Sequence, residues 1–167
     1  MEMVNIKING MPLSVPKNYT ILQAARQAGI EIPTLCYLKD VNEIGACRIC
    51  VVEVKGARSL VAACVYPVNE GMEVTTNSQK VLNARKLTLQ LILSTHNKKC
   101  LSCVRNGNCA LQKMAMDANL LYLPYSMDVR KGNWDRTAPL IRQESKCIKC
   151  MRCIQVCDKI QSLNIWD

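Results

Sequence analysis

Eleven cysteines and one histidine in a chain of 167 residues fall into three short groups, and no other feature limits so strongly what this sequence can fold into. Closely spaced thiols either cross-link a chain or hold metal, and each choice dictates which loops must meet. An odd number of cysteines suits disulfides poorly. The stretch Met1-Glu2-Met3-Val4-Asn5-Ile6-Lys7 alternates polar and apolar residues, with neither the basic head nor the apolar segment of a secretory signal. The reading is a cytoplasmic protein, in whose reducing surroundings clustered cysteines serve as metal ligands.

The first group is Cys36, Cys47, Cys50 and Cys64, separated by ten, two and thirteen residues. Gly45 and Ala46 precede the Cys47-Arg48-Ile49-Cys50 loop and permit the close approach of backbone N–H groups to sulfur that a small cluster with bridging sulfides requires. Four thiolates in this pattern suit one [2Fe-2S] cluster, with a first gap longer than the plant-type spacing. Zinc is the competing occupant, but a structural zinc site commonly uses two Cys-x2-Cys pairs and this group contains one.

The second group, Cys100, Cys103 and Cys109, lacks a fourth cysteine, and the only histidine of the chain, His96, stands four residues before Cys100. If the other eight cysteines form two sets of four, three are left over, and imidazole can replace thiolate on iron. His96 falls at the end of an expected helix, where a neutral imidazole ligand and the neighbouring Lys98 and Lys99 are both tolerated. The third group, Cys147, Cys150, Cys153 and Cys157, has gaps of two, two and three residues, the run that bacterial ferredoxins use for [4Fe-4S]. In two-cluster ferredoxins the fourth cysteine of such a run ligates the other cluster. Three readings therefore stand: Cys157 closes the same cluster, a partner chain supplies the complement, or the chain is a fragment of a longer one.

A formal charge of +9, from 22 Lys and Arg against 13 Asp and Glu, raises the question of nucleic acid. That figure treats every thiol as neutral. With eleven thiolates around three oxidised iron-sulfur cores of about +2 each, the total falls to about +4, so much of the basic excess offsets cluster charge. Five Tyr, two Trp and no Phe leave little to stack bases on, and no nucleic-acid partner is expected. The apolar runs Leu60 to Val68 and Leu87 to Leu93 are far shorter than the ~20 residues of a spanning helix, so no membrane span is expected either.

Along the chain, Val4, Ile6 and Ile8 alternate up to Asn9-Gly10, and Met11, Leu13 and Val15 alternate after it, which predicts a tight hairpin. Thr20 caps a helix carrying Ile21, Leu22, Ala25 and Ala28, ended by Gly29. Val51 to Val54 and Ser59 to Ala63 flank a second turn, and Glu73 to Thr75 read as an edge strand. Thr76-Asn77-Ser78-Gln79 has the form of a capping box, followed by a helix with Val81, Ala84, Leu87 and Leu91 on one face that ends near Thr95. A further helix runs from Cys109 to about Ala118. The fold class is α+β: a small mixed sheet with one helix over 1–77, a helical segment over 78–123, a connecting segment over 124–145, and a ferredoxin-type segment over 146–167.

With these residues in view, the chain resembles the amino-terminal iron-sulfur region of the 75-kilodalton-type subunit of respiratory NADH:quinone oxidoreductase, of iron-only hydrogenases, and of the diaphorase small subunit of NAD-reducing hydrogenases. The resemblance is carried by Thr20-Ile21-Leu22-Gln23-Ala24-Ala25, Gly29-Ile30-Glu31-Ile32-Pro33-Thr34-Leu35-Cys36, Gly45-Ala46-Cys47-Arg48-Ile49-Cys50 with the Val51 to Val54 strand, Gly71-Met72 and the His96 to Cys109 block. It implies a β-grasp [2Fe-2S] ferredoxin domain, a helical segment carrying a [4Fe-4S] cluster on one histidine and three cysteines, and the beginning of a two-cluster ferredoxin-like domain.

Neither a Gly-x-Gly-x-x-Gly nor a Walker pattern occurs among the seven glycines. The function expected is an electron relay with no active site of its own. The resemblance implies a flavin- and NAD(P)H-binding partner subunit, in a bifurcating transhydrogenase- or hydrogenase-like complex. Two alternatives stand beside it: the truncated amino-terminal part of an iron-only hydrogenase or NAD-linked formate dehydrogenase, and a zinc-binding interaction module.

Overall fold

A computed structural model describes residues 2–125, 127 and 143–165. Two compact units divide the chain: Met1–Arg85 together with Met151–Asp167, and Lys86–Cys150. The connecting segment expected over 124–145 lies largely outside the described residues.

In the first unit, β1 (Met3–Ile8) and β2 (Met11–Pro16) form the expected antiparallel hairpin. Asn9 and Gly10 adopt φ of 52° and 83°, the left-handed pair that matches the twist of the flanking strands. Alternation does the rest: Val4, Ile6 and Ile8 are buried, while Met3, Asn5 and Lys7 face outward. Helix α1 (Ile21–Gln27) starts at a full capping box, in which Thr20 Oγ1 accepts from the Gln23 amide and Gln23 Oε1 accepts from the Thr20 amide. It ends on Gly29, whose N–H bonds the Arg26 carbonyl while the Ile30 N–H reaches back to Ala25. That closure needs φ near +71° at Gly29, which glycine adopts without steric penalty.

Strands β3 (Val51–Val54), β4 (Val61–Ala62) and β5 (Glu73–Thr75) complete a five-stranded sheet in the order β2-β1-β5-β3-β4. The second hairpin forms as expected, though β4 keeps only two residues. The edge position expected for Glu73–Thr75 is wrong. β5 lies in the middle, parallel to β1 and antiparallel to β3, with Val74 opposite both Ile8 and Val54. Three residues with polar ends suggest an edge, but Val74 alone supplies the inward side chain and the polar side chains of Glu73 and Thr75 stay out of the core. The packed interior joins Val4, Ile6, Ile8 and Val15 to Ile21, Leu22, Ala24 and Ala25 of α1 and to Val52, Ala63, Val68 and Val74.

Helix α2 (Gln79–Ser94) begins two residues later than the expected capping box places it. Ser78 is the cap, its Oγ accepting from the Val81 amide, whereas Thr76 exchanges two hydrogen bonds of 2.8 Å with the Asn9 side chain across the sheet. The buried positions also differ from the expected face. Val81 and Leu89 are buried, but Leu87 and Leu91 are about half exposed. The slot between Val81 and Leu89, at i+4 of the first, is filled by Arg85, a charged residue that hides the inward stripe from a pattern of apolar side chains. In the second unit, α3 (Ala110–Asp117) starts at Cys109 and buries Leu111, and a single 3-10 turn covers Glu144–Lys146. Helix α4 (Arg152–Lys159), which the periodicity did not announce, follows Met151 at φ 64°. Among the described residues no helix is long and apolar enough to cross a membrane.

Ile8 is fully buried between the hairpin and β5. Ile8→Ala is expected to cost about 2–5 kcal/mol, read as a lower urea midpoint by circular dichroism under anaerobic conditions.

Candidate metal centres

The first centre is assembled by four separate pieces of the first unit. Cys36 follows α1, Cys47 and Cys50 flank a tight loop, and Cys64 follows β4. Cys36, Cys50 and Cys64 are each 1% exposed, and Cys47 is partly exposed. The sulfurs meet two by two. Cys50 Sγ and Cys64 Sγ are 3.3 Å apart, and Cys36 and Cys47 share a side-chain hydrogen bond while the Cys47 amide also points at Cys36 Sγ at 3.5 Å. Each pair is joined by one sulfur–sulfur hydrogen bond. The hydrogen bond with Cys36 pulls Cys47 down to about 5, with help from the backbone amide of Ile49, and that with Cys64 pulls Cys50 down to about 7. Cys36 and Cys64 are pushed far up by the same bonds and then by burial.

This arrangement tests which metal group fits. A single tetrahedral ion needs all its thiolates around one point, and among the described residues no three His, Cys, Asp or Glu side chains are so placed. A two-iron cluster asks for two thiolates per iron, which matches two pairs. In a four-iron cluster each ligand serves a different iron, so no convergence on one point is required there either.

The backbone of the loop is shaped for close approach to sulfur. Gly45 has φ +64°, and a Cβ on it would lie 3.3 Å from Val65 Cγ2, so both conformation and space call for glycine. Arg48 is held at φ 57° between the two loop cysteines. The Cys50 carbonyl accepts from the Ala63 amide at 3.1 Å, tying the loop to the end of β4.

Five residues absent from the sequence reading brace the surroundings of this centre. Buried Asn42 donates through Nδ2 to the Cys36 carbonyl at 2.8 Å. Arg152 on α4 donates to the same carbonyl at 3.1 Å and to that of Tyr37 at 2.7 Å, and Lys159, also on α4, donates to Val41 at 2.8 Å. Arg26 lies over the Tyr37 ring, 4.9 Å from its centroid. Arg85 donates through Nη2 to the Val51 carbonyl at 2.8 Å. Arg152 sits inside the third cysteine run and Arg85 on a helix, where each reads as an ordinary solvated cation; their targets lie 116 and 34 residues away.

The second centre belongs to the second unit. His96 follows the end of α2, its backbone N–H bonded to the Leu93 carbonyl at 3.3 Å, and its Nδ1 is buried with no partner among the described residues. Burial, and then the charge of Lys146, hold its pKa below the ordinary value, so it stays neutral and keeps a lone pair for metal. Cys100 and Cys103 lie on consecutive turns, and Cys109 caps α3. Gln112 braces the intervening loop, accepting from the Gly107 amide and donating to Asn106. Lys146 Nζ donates to the Lys99 carbonyl, and the Asn97 amide to that of Ser145.

Of the third group, Cys147 and Cys150 fall in the second unit and Cys153 and Cys157 stand on α4 in the first. Cys147 Sγ accepts from the Lys149 amide at 3.4 Å. Cys157 is buried and Cys153 exposed.

Residues 1–79 match the family described as 2Fe-2S iron-sulfur cluster binding domain, and residues 85–121 the NADH-ubiquinone oxidoreductase-G iron-sulfur binding region. The NADP-reducing hydrogenase subunit HndD of Solidesulfovibrio fructosivorans is 43% identical over 99% of this chain, which spans 29% of that protein. The NAD-reducing hydrogenase HoxS subunit gamma of Cupriavidus necator is 32% identical over 91% of the chain, which spans 64% of it. Among solved structures, a chain in a crystal structure of an NAD+-reducing [NiFe]-hydrogenase in the H2-reduced state superposes with a TM-score of 0.88 at 25% identity, covering 96% of this chain and 68% of the other.

Gly45→Ala is expected to strain the first loop by about 1–2 kcal/mol, and by more if Val65 does not yield. The measurements are thermal unfolding and iron content, and a variant equal to the parent in both would refute the requirement for glycine.

Proposed function

Because the chain belongs to the iron-sulfur subunit family shared by NAD(P)-reducing hydrogenases and NADH-ubiquinone oxidoreductase, we propose that it is the electron relay of a multi-subunit, NAD(P)H-linked oxidoreductase. Its ligand sets are Cys36, Cys47, Cys50 and Cys64 for one [2Fe-2S] cluster, His96, Cys100, Cys103 and Cys109 for one [4Fe-4S], and Cys147, Cys150, Cys153 and Cys157 for a second. Bound there, these groups supply reversible one-electron oxidation and reduction. The observation that most supports the reading is the two-by-two pairing of the four buried sulfurs of the first centre.

The remaining work belongs to the chain's own groups. The Cys47 amide aimed at Cys36 Sγ and the near-complete burial of three of the four sulfurs are levers that set potential, through hydrogen bonding and local dielectric respectively. His96 contributes a neutral ligand where a fourth cysteine would add a negative charge. Arg152 and Asn42 hold the Cys36 loop against rearrangement, so that a change of charge at the centre meets a fixed set of dipoles.

Hydride chemistry is assigned to a flavin- and NAD(P)H-binding partner subunit, since no glycine-rich nucleotide pattern occurs in the sequence. A cytoplasmic location is part of the same proposal, because clustered cysteines serve as metal ligands in a reducing compartment. A second reading follows from coverage: the chain spans only 29% of HndD, which suits the opening segment of a longer catalytic polypeptide. The mass of the native polypeptide in its source cells separates the two.

Protein purified without oxygen is expected to contain about ten iron and ten acid-labile sulfide per chain. About six of each means that one four-iron site is empty, and zinc without iron removes the reading altogether. Replacement of the histidine, His96→Cys, is expected to lower the midpoint potential of one [4Fe-4S] cluster, because a thiolate disfavours the added electron. An unchanged midpoint in an electron-paramagnetic-resonance titration excludes His96 as a ligand.

A further inference from the structure

Arg85 is a cation in an unfavourable place. It occupies the inward stripe of α2, four residues after buried Val81 and four before buried Leu89. Nη2 bonds the carbonyl of Val51, the residue that follows Cys50, at 2.8 Å. Nε is buried and has no partner among the described residues, and none of the ion pairs found among them includes Arg85. Arg85 is partly rather than fully buried, yet withdrawing even part of a guanidinium from water without an anion has a cost, and arginine does not escape it by losing its proton.

The carbonyl that holds Arg85 belongs to the residue directly after Cys50, so the nearest group in the sequence able to carry a compensating negative charge is in the first centre; the charge on Cys50 partly opposes the effect of burial on the guanidinium. Four thiolates around an oxidised two-iron core carry a net charge of about −2, and one-electron reduction makes it about −3. A fixed cation nearby stabilises both states, the reduced one more.

We propose that Arg85 is the built-in counter-charge of the Cys36, Cys47, Cys50 and Cys64 centre, and that it sets that centre's reduction potential upward. The inference rests on the [2Fe-2S] assignment made above. Arg85 acts through its field and through the carbonyl it holds beside Cys50, not as a ligand. The rival account is that it is only a hydrogen-bonding tie to Val51.

The test is an anaerobic redox titration of the cluster-loaded full chain, following the [2Fe-2S] signal by electron paramagnetic resonance in the parent, Arg85→Gln and Arg85→Lys. Gln keeps a donor and loses the charge; Lys keeps the charge. Arg85→Gln is expected to make reduction about tenfold less favourable, a fall of about 59 mV for one electron, while Arg85→Lys stays near the parent. A parent midpoint in Arg85→Gln, or an equal fall in Arg85→Lys, overturns the proposal. If Arg85→Gln fails to hold the cluster, loading of Arg85→Lys supports the counter-charge and its failure to load supports the tie. A parent with no [2Fe-2S] signal removes the cluster assignment itself, whereas an unchanged midpoint with a full signal removes only the role of Arg85.

Discussion

Four sulfur atoms brought together out of water are the constraint on which the first unit turns. Thiolates at this separation repel, and their burial raises the cost of each charge. The fold meets this with an amide aimed at sulfur and with arginines held on carbonyls beside the ligand loops. Each device demands backbone in a particular place. Gly45 at positive φ, the cap of α1, the turn after β1 and the short β4 are all parts of positioning Cys36, Cys47, Cys50 and Cys64.

The sheet explains how such a site stays rigid when its ligand loops contain little regular structure. Val52 and Val54 anchor β3 in the core directly after Cys50, and Ala62 and Ala63 do the same directly before Cys64. One side of the loop is therefore fixed by apolar packing. The other side, around Cys36, is fixed by polar contacts from Asn42 and Arg152 to one carbonyl. Hydrogen bonds from a charged donor are worth more than neutral ones, which suits a segment with few apolar side chains to bury. The same logic separates the two candidate centres: arginines bond carbonyls beside the first, while burial and then Lys146 favour the neutral form of His96 in the second unit.

Much of the fold was legible because its signals are local. Alternating residues around Asn9-Gly10, the Thr20 and Gln23 box and the Gly29 stop each act within a few positions, and all three took the expected form. The misreadings share one cause. Thr76 was drawn from a local capping role into a pair with Asn9, β5 was drawn from the edge into the centre by Ile8 and Val54, and Arg85 turned inward where its side chain reaches Val51. In each case a partner distant in sequence outweighed the local preference.

The sequence by itself determined the inventory and spacing of the ligands, since the number of residues between cysteines dictates what cluster a short loop can wrap, and it determined the helices and hairpins that local hydrogen bonding can close. Only the tertiary structure decided which sulfurs pair, because Cys36 reaches Cys47 and Cys50 reaches Cys64 through the closure of a sheet whose strands lie far apart along the chain. It likewise decided that Arg152 would bind the carbonyl of Cys36 and Arg85 that of Val51. A charge carries no periodicity, and where it goes depends on the field and the unpaired carbonyls that the finished fold presents to it.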